Sequence, residues 1–374
     1  MRTSEEHCLT AEAALGYRCQ DSHDGNSGPG GMSAAPKRLR VLRVESGSLS
    51  ALDTQNGSST QLLDVCASKP GSWWKRRKYL LDLLSSLHAK SLESQYDIVW
   101  AGSENIGIIL SFMNLRNPLV VVAHHMRSPA KAKLTQAMGI VNKWSGIGFL
   151  SDESRQFFID YFGVPADRLF QYESSKYLNQ DASRDVSYDG PIVSVGVAKR
   201  DYSTLVTALS ALPGYETELI TSSKFGDHLR HRATISMPTW VNLVGWLSEE
   251  ELLGRYRRAR FAAIPLHDTT HSGAGINAVL EAGAFSKAVI ATRTGGMSTF
   301  VRDGETGILV PPYDVKAWRR AIETLSSQPE LAKQMGQAGR RYMESRFNPE
   351  KVSAGIAAFL NDLLPAPGVP TCHA

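Results

Sequence analysis

The chain has 374 residues, of which 42% are hydrophobic and 21% charged, with a formal net charge of +4. That length houses two α/β domains with separate cores, and the composition is that of a soluble globular protein rather than a disordered one. The charge is too small to argue for nucleic acid as a partner, and no apolar run approaches the roughly 20 residues that span a bilayer. The four cysteines, Cys8, Cys19, Cys66 and Cys372, form no Cys-x-x-Cys pair. Neither a disulfide framework nor a zinc site is expected, and a reducing compartment fits better. The N-terminus is polar and partly acidic, unlike a signal peptide, so a cytoplasmic location is expected.

Residues 1–36 read as a disordered leader, since Asp21–Gly31 is rich in Gly, Ser and Asp and has no periodicity. Met32, just after it, is a candidate true start. An N-terminal domain is placed at 37–175. Its predicted strands are Leu39–Val44, Gln61–Cys66, Asp97–Ala101, Leu119–Ala123 and Gly146–Leu150, with helices such as Trp74–Ser91 and Ser151–Phe162 between them. That alternation predicts a parallel sheet covered by helices.

The first of these helices opens with Trp73, Trp74, Lys75, Arg76, Arg77 and Lys78. Two tryptophans beside four cations suit an anionic membrane surface. The alternative is a helix that packs a Leu80, Leu84 and Leu87 stripe on the sheet behind a solvated basic start. The strand at Leu119 ends in two histidines, His124 and His125.

Glu173–Gly190 is polar and aperiodic and reads as a linker, with the boundary drawn at 176–190. A second domain is placed at 191–345, and a helix in 346–374 is expected to pack back on the first domain. The second domain's predicted strands are Pro191–Gly196, Glu218–Thr221, Val241–Val244, Phe261–Pro265 and Ala288–Thr292. Its helices include Tyr202–Leu212, Ile276–Phe285 and Ser248–Ala259, the last opened by a Ser248/Glu251 capping box. Two such α/β domains imply a cleft at the carboxyl ends of the strands.

The most informative stretch is Ile264–Asp314. A strand ends at Pro265, and a small-residue loop, Ser272-Gly273-Ala274-Gly275, leads into a helix beginning near Ile276 and Asn277. Glycine admits a close ligand, and the helix N-terminus offers unpaired N–H groups to an anion, so this is a diphosphate cradle without a P-loop lysine. Glu281 follows Asn277 by one turn and shares its face. It can accept hydrogen bonds from two vicinal ribose hydroxyls, or be a surface carboxylate. Gly295 and Gly296 after the next strand can present N–H groups to a phosphate or sugar, or form a plain turn.

These segments resemble the C-terminal domain of glycosyltransferase family 4, the large retaining GT-B family. The matching residues are Leu280-Glu281-Ala282-Gly283-Ala284, Ala288-Val289-Ile290-Ala291-Thr292, Gly295-Gly296 and Asp303-Gly304-Glu305-Thr306-Gly307-Ile308-Leu309-Val310-Pro311-Pro312. The resemblance runs from about Pro191 to the C-terminus and weakly back to Leu39. It implies a GT-B fold: two Rossmann-like α/β domains facing each other across a cleft. It also implies a hexosyltransferase-type enzyme that moves a sugar from a nucleoside diphosphate-sugar to a sugar or lipid-linked hydroxyl acceptor, with retention, in glycan, glycolipid or polysaccharide synthesis. A non-catalytic nucleotide-sugar-binding subunit and a GT-B sugar-nucleotide epimerase are the alternatives.

Carried over residue by residue, the resemblance assigns the diphosphate to Arg200 or Lys199 after Gly196, in a loop shorter than the family's. Trp246 is placed near the nucleotide base or in the core. His124 or His125 faces the transferred sugar. The family's signature has a Glu eight positions before Glu281; that position is Gly273 here, and His271 is the candidate polar substitute. The family's Gly-Gly loop near the first strand has only Ser46-Gly47-Ser48 as a counterpart. No Asp-x-Asp occurs, so no metal or other cofactor is expected, and the helix terminus and cations take that role. A lipid-linked acceptor would fit peripheral attachment at the inner membrane face.

Overall fold

In the computed structural model the described residues are 39–45, 48–54, 63–65, 78–178, 186–222, 237–269 and 273–364. The leader 1–36 with Met32, the basic tryptophan segment up to Arg77, Ser46-Gly47 and His271 lie outside them, as do all four cysteines.

The N-terminal lobe contains strands β1 (Leu39–Glu45), β2 (Ser48–Thr54) and β3 (Leu63–Val65), helix α1 (Lys78–Leu92), β4 (Ile98–Ala101) and α2 (Glu104–Leu110). It continues with β5 (Leu119–Val122), α3 (Pro129–Ala137), β6 (Gly146–Phe149), α4 (Asp152–Phe162) and β7 (Leu169–Gln171). The sheet order is β3-β2-β1-β4-β5-β6-β7. From β1 to β7 it is parallel, as the alternation predicts. At the other edge β1, β2 and β3 form an antiparallel meander. This corrects the expectation of a parallel sheet throughout. Only two residues separate β1 from β2, enough for a hairpin and far too few for a crossover. Within the stretch predicted as strand Gln61–Cys66, Leu63–Val65 form the meander's edge strand. Strand β7 was not predicted.

The C-terminal lobe follows with β8 (Ile192–Val195), α5 (Tyr202–Ser210), β9 (Thr217–Ile220), β10 (Val241–Val244), α6 (Glu249–Arg258) and β11 (Ala262–Ile264). Then come α7 (Ile276–Ala284), β12 (Val289–Thr292), β13 (Gly307–Val310), α8 (Val315–Ser327), α9 (Pro329–Arg346) and α10 (Pro349–Asp362). All six strands are parallel in the order β10-β9-β8-β11-β12-β13. Helix α6 starts with the predicted capping box: Ser248 Oγ accepts from the Glu251 N–H at 3.3 Å, and Glu251 returns a carboxylate to the Ser248 N–H at 2.8 Å.

Several contacts tie the lobes together. Helix α10 crosses back and buries Val352, Ile356 and Leu360 against Val41, Trp100, Val122 and Phe170 of the first sheet. Each such aliphatic side chain contributes on the order of 2 kcal/mol. At the start of α4, the Asp152 N–H donates to Thr299 Oγ1 at 2.8 Å, and Glu153 accepts from Thr299 and Ser298. Arg346 pairs with Asp152. Along α1 the stripe does not pack on the sheet throughout: Leu84 is 48% and Leu87 52% exposed, with Tyr79 and Leu83 exposed beside them. Among the described residues no helix is long and apolar enough to cross a membrane.

Candidate functional site

In the second sheet the chain's progression reverses between β8 and β11, which are hydrogen-bonded neighbours. Loops leaving such a pair diverge and open a crevice at the carboxyl ends. The two sequence stretches singled out for chemistry leave these two strands. They are joined there by the Arg200–Leu266 bridge, by the Asp201 N–H to Pro265 O at 3.1 Å and by the His267 N–H to Lys199 O at 3.0 Å.

After β8, Gly196 has φ +117°, a conformation glycine adopts readily, and a Cβ there would meet the Arg200 guanidinium at 2.5 Å. That space lets Arg200 fold back. Its Nε and Nη2 donate to Val195 O at 2.9 and 2.6 Å, and its Nη1 to Ala198 O at 3.1 Å. Burial lowers its pKa from the ordinary value, opposed by Glu281 among other neighbours. Lys199, with φ +57°, is exposed.

After β11, Gly275 takes φ +83° and stands at the N-cap of α7, where no side chain caps the helix. The first N–H groups of α7 are thus left to a ligand or solvent. Gly273, Ile276, Asn277, Leu280 and Glu281 line a cleft of about 290 Å³. The Tyr256 hydroxyl, from α6, donates to Glu281 Oε2 at 2.9 Å. Burial pushes the Glu281 carboxyl up to about 7, against the pull of Tyr256, Lys176 and Arg200.

The opposite wall comes from the first lobe and the segment after β7. His124 and Leu150 line it, with Tyr172, Glu173, Ser174, Ser175, Lys176 and Tyr177. The His124 N–H donates to Glu104 Oε2 at 3.0 Å, and His124 Nε2 lies 3.2 Å from Gly102 O. A carbonyl only accepts, so Nε2 carries a proton in this contact. Glu104 is buried and ion-paired to Lys131 at 2.7 Å. Burial alone would raise its pKa, but Lys131 and the backbone donors outweigh it and hold the carboxyl below the ordinary range.

The structure thus gathers His124, Gly273, Ile276, Asn277 and Glu281 into one cleft, with Gly196, Lys199, Arg200 and Gly275 in the adjoining loops at the crevice. His125 is exposed and outside the lining. Trp246 is 69% exposed in the turn after β10, so the indole is not a core group. Gly295 and Gly296 form a left-handed turn that meets the first lobe: a Cβ on Gly296 would lie 2.6 Å from Ser151 Oγ.

The reading of Glu173–Gly190 as a polar linker is corrected at its start, because Glu173–Tyr177 is cleft wall. The Tyr172 N–H binds Phe149 O, the Ser175 N–H binds Phe347 O at 2.8 Å and Ser175 Oγ donates to Leu280 O at 3.3 Å. These residues were missed because β7 was missed. Once Leu169–Gln171 is seen as a strand, the residues beyond its carboxyl end become candidates by the same rule that flags the rest.

Residues 233–342 match the family described as Glycosyl transferases group 1. Over 178 residues the chain is 29% identical to the lipopolysaccharide core biosynthesis glycosyltransferase LpsE of Rhizobium meliloti (strain 1021), covering 46% of this chain and 50% of that protein. Over 110 residues it is 34% identical to a D-inositol 3-phosphate glycosyltransferase of Streptomyces bingchenggensis, covering 29% of this chain and 23% of that one. The chain therefore spans half or less of the length of these curated relatives. Among solved structures it is similar to a sucrose-phosphate synthase from Thermosynechococcus elongatus, with TM-score 0.62 and 20% identity over 79% of this chain and 80% of that one. It is also similar to Anabaena HepE in complex with UDP and glucose, with TM-score 0.61 and 19% identity over 79% and 84%. The fold is GT-B, two Rossmann-like domains across a cleft.

Proposed function

We propose that the protein transfers a sugar from a nucleoside diphosphate-sugar to a hydroxyl acceptor, with retention at the anomeric carbon. The observation that carries this reading is the convergence of the uncapped α7 N-terminus, Asn277 and Glu281 at the reversal crevice of a GT-B lobe. The helix N–H groups and dipole receive the diphosphate. Lys199 adds an exposed cation, while Arg200 braces the loop that carries it. Glu281 accepts the ribose hydroxyls, with Tyr256 holding its second oxygen.

His124, from the opposite lobe, faces the sugar. As the bond from the anomeric carbon to the diphosphate breaks, negative charge grows on the leaving oxygen, where the helix end and cations stabilise it. The departing diphosphate stays on the face it leaves and steers the incoming hydroxyl there, which retains configuration. No metal is needed in this scheme, so transfer should be insensitive to EDTA.

The match to LpsE, which is named for lipopolysaccharide core biosynthesis, supports a role in glycan assembly. The exposed Tyr79, Leu83, Leu84 and Leu87 face of α1, following the basic Lys75–Lys78 run, supports peripheral contact with an anionic membrane carrying a lipid-linked acceptor. Co-sedimentation with anionic liposomes that fails to recover the protein would remove that part.

The test of the main reading is titration with UDP-, GDP- and ADP-sugars and their diphosphates. One base should raise the melting temperature in a concentration-dependent way. NMR of the product should then show the donor's anomeric configuration. No response to any nucleotide would sink the reading, and epimerised sugar formed without an acceptor would replace it.

A further inference from the structure

The segment Tyr172–Tyr177 crosses between the lobes and is clamped on both sides of Glu173. Upstream, the Tyr172 N–H donates to Phe149 O at 3.1 Å. The Tyr172 ring sits edge-on to His124 at 6.4 Å and tilted to Trp100 at 6.1 Å. Downstream, Ser175 binds Phe347 O and Leu280 O. The Glu173 carbonyl accepts from Gln171 Nε2 at 3.2 Å, and the same amide donates to Arg346 O at 2.9 Å. The backbone on either side of Glu173 is therefore held in place at the cleft wall.

Two other carboxylates near this site are already engaged. Glu104 is neutralised by Lys131 and holds the His124 N–H. Glu281 is held by Tyr256. Among the described residues, neither a counter-ion nor a donor acts on the Glu173 carboxylate; burial alone shifts it. It lines the cleft between His124 on one lobe and Asn277 and Glu281 on the other. An ordered carboxylate with unspent acceptor capacity in a ligand cleft is costly to fold unless a ligand uses it.

We propose that Glu173 is the carboxylate that receives the acceptor: it accepts the hydrogen bond of the attacking hydroxyl and takes its proton. This rests on the transfer reaction proposed above. The new bond joins the acceptor oxygen to the anomeric carbon. The bond broken runs from that carbon to the diphosphate oxygen, and its electron pair leaves with the nucleoside diphosphate. The proton ends on Glu173 and passes to water after product release.

Burial pushes the Glu173 carboxyl up to about 7, a value suited to a general base near neutral pH. The titratable and charged groups around it are His124, Tyr172, Lys176, Tyr177 and Glu281, with Arg43 and Glu45 beyond Tyr172.

The test compares the full-length wild type with Glu173→Gln and Glu173→Asp, using the nucleoside diphosphate and donor that wild type selects. In Glu173→Gln the diphosphate Kd should stay within about twofold, while kcat falls about 100-fold or more. The rise of wild-type kcat with pH through neutrality should vanish in that variant. Glu173→Asp should keep the pH limb and recover part of kcat. A Glu173→Gln enzyme with wild-type kcat, or one that loses diphosphate affinity while kcat survives, overturns the assignment and leaves the transferase reading standing. A wild type that binds no nucleoside diphosphate removes both. Removing a desolvated charge should not lower the melting temperature of Glu173→Gln, so a folded variant is available for every arm.

Discussion

Replacing Glu281 by glutamine separates ligand binding from stability. The carboxyl's pKa is raised from an ordinary 4.5 to about 7, chiefly by burial. The unfolded chain therefore ionises first as pH rises, and the folded state loses stability between about 4.5 and 7, with the full loss above that range. At about 1.4 kcal/mol for each tenfold change in the ionisation equilibrium, the loss reaches about 3.5 kcal/mol. Solvent in the cleft reduces this, so Glu281→Gln should stabilise the free protein by about 1–3 kcal/mol at pH 8. For lobes of this size that is roughly 3–10 °C in melting temperature. At pH 4.5 all but about 0.4 kcal/mol of the gain should disappear, because the folded carboxyl is then protonated and the unfolded one half protonated.

The amide oxygen still accepts from Tyr256, so packing is preserved. The same substitution removes a charged acceptor for the ribose hydroxyls, which is worth about 1.5–3 kcal/mol, or roughly 10- to 100-fold in nucleoside diphosphate Kd. Thermal unfolding at pH 4.5 and pH 8, with calorimetric titration at pH 8, measures both effects. No melting-temperature gain at pH 8, or an equal gain at pH 4.5, would show that Glu281 is fully solvated and refute the reasoning. Unchanged affinity would remove its ribose role.

Other consequences follow from the same geometry. Tyr256→Phe deletes the donor at 2.9 Å from Glu281 and should cost about 1–2 kcal/mol in denaturant unfolding at pH 8 while weakening nucleotide binding. Arg200→Ala removes the three bonds that brace the 195–198 carbonyls and should lower stability by about 2 kcal/mol or more as well as donor affinity. Lys199→Ala, at an exposed site, should weaken diphosphate binding with stability unchanged within about 0.5 kcal/mol; parallel titration and unfolding of the pair checks the contrast. Gly296→Ala places a methyl 2.6 Å from Ser151 Oγ at φ +96°. It should cost about 1–3 kcal/mol in unfolding and loosen proteolytic protection at the lobe contact more than within either sheet.

What the sequence by itself determined here is local or strictly ordered along the chain. The Ser248/Glu251 capping box needs only a three-residue spacing, and it is present with both bonds. Val241–Val244 and the strands near Leu119, Gly146 and Ala288 follow from short apolar runs bounded by turns. The β8 and β11 loops are ordered motifs, and parallel topology alone brings them to one crevice, so the meeting of Asn277 and Glu281 there was legible. Only tertiary structure decided the rest.

A two-residue connection and a three-residue edge strand carry too little periodicity to reveal the β1-β2-β3 meander. His124 rather than His125 lines the cleft because the end of β5 presents it toward Gly102 and Glu104, contacts 20 residues or more away in the chain. Tyr256 finds Glu281 across 25 residues, and Gly296 meets Ser151 from the other lobe. Glu173 stands in a stretch whose polarity looks like a linker. Its place in the cleft exists only once Phe149, Leu280 and Phe347, from three separate elements, hold the backbone on either side of it.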